Sequence, residues 1–73
     1  MSKPPLLSGR EVVRAFERAG FRIISQRGSH IKIRNDSRLI TLIIPGHREV
    51  DRWTLKGILR DAEMSVEEFL KLI

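Results

Sequence analysis

Apolar positions along the chain recur first at helical and then at strand spacing. Val12, Val13, Phe16 and Ala19 fall on one side of a helix, with Arg10, Arg14, Glu17 and Arg18 on the other. Ser8 and Glu11 form a Ser-x-x-Glu capping box ahead of it, and Gly20 is suited to the left-handed position that ends it. A helix over about Gly9–Ala19 follows. Phe21–Arg27 is rich in β-formers, and Arg27-Gly28-Ser29 reads as a tight turn. His30-Ile31-Lys32-Ile33-Arg34 then alternates strictly. A period of two puts Ile31 and Ile33 on one face and His30, Lys32 and Arg34 on the other. After the turn Asn35-Asp36-Ser37 comes a third strand over Arg38–Ile44, stopped by Pro45-Gly46.

Two helical segments complete the pattern. Asp51 or Thr54 caps the first, which runs to about Asp61 with the stripe Leu55, Ile58, Leu59 and Ala62. Ser65 and Glu68 repeat the capping box, and Val66, Phe69, Leu70 and Ile73 give a short terminal amphipathic helix. The order predicts an α+β fold, α-β-β-β-α, in which helices cover one face of an antiparallel three-stranded meander. The third strand is apolar on both sides. Leu39 and Ile43, joined by Ile24, therefore form an outer apolar set that a partner, the terminal helix or a loop covers.

Length and composition narrow the classes. The 73 residues make one domain, read as 8–73 behind a flexible lead at 1–7 that holds Pro4 and Pro5. The chain has no cysteine, which excludes disulfide staples and Cys-based zinc sites. No apolar run approaches the roughly 18–20 residues that span a bilayer, and Met1–Leu7 lacks the apolar core of a signal peptide. The expected location is the cytoplasm, away from any membrane. Net charge is +5, but it is unevenly placed: positions 1–60 hold 13 basic and 5 acidic residues, whereas 61–73 hold only Lys71 against Asp61, Glu63, Glu67 and Glu68. A basic, arginine-rich body suits a polyanion.

The candidate chemistry rests on two histidines. RNA carries its own nucleophile in the 2′-hydroxyl; cleaving it takes a base, an acid and positive charge at the phosphate. His30 follows Gly28 and Ser29, which give a close backbone approach and a hydroxyl, and shares its strand face with Lys32 and Arg34. A surface histidine on a basic strand is the plain alternative. His47, after Pro45-Gly46, is open to three readings: a second acid or base, an RNA contact, or a loop residue. Glu49 and Asp51 lie near His47, but the spacing matches no metal motif, so no metal or other cofactor is expected. Trp53, the sole tryptophan, is expected to pack at a helix start rather than stack on a base.

Ala19-Gly20-Phe21, Arg27-Gly28-Ser29-His30, Ile44-Pro45-Gly46-His47, the run Trp53–Ala62 and the tail Ser65–Phe69 occur in an order that resembles the HicA toxins of HicA–HicB toxin–antitoxin systems, also described as YcfA-like proteins. The resemblance runs from about Ser8 to the end. It implies a fold similar to the double-stranded-RNA-binding domain and cleavage of single-stranded mRNA by one histidine, here His30. It also implies a HicB-type antitoxin that covers the site. The chain departs from that pattern at Ile31, where relatives often have a second histidine. It departs again at Trp53, where they usually have glycine before Thr-Leu, and at Glu63, where the second helix often ends in Ala-Gly. A non-catalytic RNA-binding module of the same fold and a protein-interaction domain are the competing functions.

Overall fold

Ser8 opens the first helix as its sequence pattern requires. Its hydroxyl accepts the Glu11 N–H at 3.1 Å, and the Glu11 carboxylate accepts the Ser8 N–H at 2.9 Å. In the computed structural model, which describes residues 3–73, six elements follow in order: α1 (Gly9–Arg18), β1 (Arg22–Arg27), β2 (His30–Asn35), β3 (Ile40–Pro45), α2 (Arg52–Asp61) and α3 (Val66–Leu70). The sheet is antiparallel with β2 at its centre. This is the α-β-β-β-α arrangement that the periodicity predicts.

The core lies between the helices and one sheet face. Val12, Val13, Ala15 and Phe16 of α1, and Leu55, Ile58 and Leu59 of α2, meet Ile31 and Ile33 of β2 and Leu42 and Ile44 of β3. Phe16 sits at the middle, its ring centroid 5.1 Å from that of Phe21 and 5.6 Å from that of Phe69. Among the described residues no buried side-chain polar atom lacks a hydrogen-bond partner. Among the described residues no helix is long and apolar enough to cross a membrane.

Several local details differ from the sequence pattern. The third strand begins at Ile40, not Arg38, because the Asn35 side chain takes the Arg38 N–H at 3.1 Å and holds residues 36–39 in a turn. That turn leaves Leu39 in the left-handed region at φ 57° and 75% exposed. Phe21 lies outside the first strand; its N–H donates to the Phe16 carbonyl, closing the end of α1. A bulge between Ile23 and Ser25 breaks the β1 register, and Ile24 stays exposed. The terminal helix stops at Leu70, leaving Ile73 exposed beyond it. Met1 and Ser2 of the expected lead lie outside the described residues. The rest of it is held to the body: Pro4 is buried, the Val50 N–H donates to the Leu7 carbonyl at 2.7 Å, and Arg52 Nε donates to the Pro4 carbonyl at 3.0 Å.

Glu63 ends α2 at φ 56°, a conformation that suits glycine rather than a side chain. Its carboxylate stands 3.7 Å from Arg38, an exposed pair that adds little. Glu63→Gly is therefore expected to stabilise the fold by about 0.5–1 kcal/mol. A raised urea midpoint at unchanged slope checks it; an unchanged or lower midpoint contradicts the strain at this position.

Candidate active site and nucleic-acid surface

A two-residue turn between β1 and β2 leads directly into His30. Gly28 adopts φ 55°, and a Cβ there would meet nothing within 4 Å. Its conformation calls for glycine, and the space above it is open. His30 opens β2, paired with Arg27 on one side and Pro45 on the other. Period two then sends His30, Lys32 and Arg34 to the face that no helix covers. Cross-strand pairing adds Ser25 and Arg27 from β1, and Thr41 and Ile43 from β3, to that face.

His30 borders two surface depressions. One, of about 520 Å³, is lined by Ser25, Arg27, His30, Lys32 and Ile43. The other, of about 320 Å³, is lined by His30, Ile43, Pro45, His47, Val50, Asp51 and Thr54. Both histidines thus share one concavity, and His30 shares the other with two cations.

The loop carrying His47 is clamped from two sides. The Gly46 N–H donates to the Ser29 carbonyl, tying the loop to the turn before His30. A Cβ on Gly46 would sit 2.9 Å from that same oxygen. From the other side the Gly9 N–H, at the start of α1, donates to the His47 carbonyl at 2.9 Å. A Cβ on Gly9 would collide with the Pro45 carbonyl oxygen and lie 2.8 Å from Gly46 Cα. Two glycines far apart in sequence therefore let three backbone segments meet beside His30.

The remaining polar groups divide into committed and available. Asp51 caps α2: its carboxylate accepts the Thr54 N–H at 2.9 Å and the Thr54 hydroxyl at 2.8 Å. The Thr54 backbone N–H, then its hydroxyl, hold the Asp51 carboxyl below the usual carboxylate range. It stands in the depression as a fixed anion rather than a proton donor. Arg34 is engaged as well, with Nε donating to Asp36 at 3.0 Å and a terminal nitrogen to the Thr41 hydroxyl at 2.7 Å. Asp36 also accepts from Arg22 Nε at 2.9 Å. Of the residues expected from sequence, the fold gathers Gly28, Ser29, His30, Lys32 and His47. Arg34 stands farther along β2 with part of its fork in use. Ser29 serves the fold through its carbonyl.

Arg27, Ile43, Thr54, Gly9 and Gly46 were not singled out for the site by sequence. Only Arg27 had a readable signal, since a two-residue hairpin places it opposite His30. The expectation that Trp53 packs at the helix start is wrong. Its indole is 82% exposed, because it falls on the solvent side of the first turn of α2 while Leu55 takes the buried side. Among the described residues no three His, Asp or Glu side chains are grouped to hold a metal ion.

A family model described as the HicA toxin of bacterial toxin–antitoxin systems matches residues 9–64 of the chain. A search of curated proteins finds no match.

Proposed function

The chain belongs to the HicA toxin family of bacterial toxin–antitoxin systems, and on that premise we propose that it is a metal-independent endoribonuclease that cuts single-stranded mRNA in the cytoplasm. A HicB-type antitoxin holds it in check. The observation that carries this reading is the placement of His30 on an open sheet face. Arg27 and Lys32 share one adjoining depression with it, and His47 shares the other.

The chemistry follows from that arrangement. His30 takes the proton of the 2′-hydroxyl as its oxygen bonds to the adjacent phosphorus. Arg27 and Lys32 neutralise the charge that builds on the phosphate, and the open turn at Gly28 and Ser29 admits the backbone. Arg34 contacts the strand farther along through donors that Asp36 and Thr41 leave over. As the bond from phosphorus to the 5′ oxygen breaks, that oxygen takes a proton, which we assign to His47 because it shares a depression with His30, a second histidine beyond the one the resemblance implies. The products are a 2′,3′-cyclic phosphate and a 5′-hydroxyl; ends bearing a 3′-hydroxyl and a 5′-phosphate would contradict this route. Ile43, exposed between the cations, gives the antitoxin an apolar anchor over the same site.

The role of His47 has its own test. His47→Ala should slow cleavage of ordinary RNA about a hundredfold. RNA with sulfur in place of the bridging 5′ oxygen needs no proton on its leaving group, so the variant should cut it nearly as fast as the parent. Equal impairment on both substrates would make His47 a contact residue only.

A further inference from the structure

Trp53 takes no part in the chemistry above, yet it is the chain's single tryptophan and its most exposed large apolar side chain among the described residues. Leaving an indole in water forgoes its burial, so an exposed one is notable where it is ringed by charge of one sign. Lys3, Pro4, Arg52 and Lys56 line a shallow depression with it, and no acidic side chain does. Lys56 Nζ lies 5.4 Å from the ring centroid, and Arg52 is fixed by its bond to the Pro4 carbonyl. Asp51, next to Arg52 in sequence, has both carboxylate oxygens turned to Thr54. An aromatic face among three cations matches a ligand that has flat bases and a phosphate backbone.

The position of this platform ties it to the first site. Thr54 lines the His30 depression, and Trp53 is one residue before it, about 100° round the helix axis. Trp53 and Thr54 are neighbours in that first turn, so a strand leaving the His30 depression past Thr54 would meet the indole. We infer that Trp53 is a base-stacking platform for single-stranded RNA, with Arg52, Lys56 and Lys3 holding the flanking phosphates. This inference rests on the ribonuclease reading and narrows its substrate. The strand must offer an unpaired base beside the cleavage point, because bases in a duplex are already stacked on one another.

The lone tryptophan makes the test direct. His30→Ala protein, which leaves RNA intact, is titrated with a short, unstructured, end-labelled RNA while indole emission and label anisotropy are read together. Emission should fall as anisotropy rises, and a perfect duplex should not quench it. Adding Trp53→Ala should weaken binding on the order of tenfold, with Trp53→Phe recovering most of the loss. Lys56→Gln should reduce the salt slope of binding by about one. RNA binding without quenching, at an affinity that Trp53→Ala leaves unchanged, overturns the platform but leaves the ribonuclease reading standing. Absence of RNA binding at low salt overturns both. Quenching by the antitoxin but not by RNA makes the indole a protein contact and overturns the proposal.

Discussion

His30→Ala is expected to slow RNA cleavage by about a hundred- to ten-thousand-fold while leaving thermal unfolding unchanged. The two halves of that expectation have separate causes. The imidazole lies on the uncovered sheet face, so removing it opens no core cavity. The ladder bonds of β2 are made by backbone atoms and survive. What is lost, under the proposed mechanism, is the group that takes the 2′-hydroxyl proton, at a position that borders both depressions. His30→Gln keeps a polar side chain but no proton-transfer group, and it should be as inactive as alanine. A glutamine variant that cleaves at the parental rate would remove His30 from the chemistry, and an alanine variant that unfolds earlier would give the imidazole a structural role.

Gly9→Ala should be the most damaging small substitution outside the core. Alanine is ordinarily the better helix residue by about 1 kcal/mol. Gly57 shows the ordinary case: it lies within α2, a Cβ there would meet nothing within 4 Å, and Gly57→Ala should stabilise the protein. At Gly9 the sign reverses. The new Cβ would run into the Pro45 carbonyl and Gly46, which are backbone and cannot swing aside. A loss of about 3 kcal/mol is expected. For 73 residues, with a total of roughly 4–11 kcal/mol, that is a large share. Pushing the 45–47 loop away also separates His47 from His30, so cleavage by the fraction still folded should fall too. Urea unfolding of both glycine variants, with activity measured well below the midpoint, checks this. Equal tolerance of alanine at the two positions would show that the clamp is soft.

The elements set by local chemistry were readable without coordinates. Ser8 with Glu11 and Ser65 with Glu68 name their helix starts because each bond spans three residues. The alternation through His30–Arg34 names its face because the pleat repeats every two. Hence the shared open face of His30 and Lys32 was legible. Features that depend on distant partners were not. Asn35 bonds both the Ala19 carbonyl and the Arg38 N–H, so the start of β3 depends on a side chain that also serves the end of α1. Arg34 looked available for phosphate, but Asp36 in the following turn folds back onto it. The nearness of His47 to His30 rests on Gly9 and Gly46, whose role is close packing rather than turning, and no pattern in the sequence marks that. Trp53 was misread because an aromatic residue at a helix start usually packs. Here the registration of α2, set by Leu55, Ile58 and Leu59, turns it outward.

The most direct measurement compares two otherwise identical single-stranded RNAs, with EDTA present, one of them carrying 2′-O-methyl groups at every position. The purified protein should cut the ordinary RNA to 2′,3′-cyclic phosphate ends and leave the methylated RNA whole, because the nucleophile is then blocked. Cutting of the methylated strand, or no cutting of either, would contradict a ribonuclease that works through His30 and the substrate's own hydroxyl.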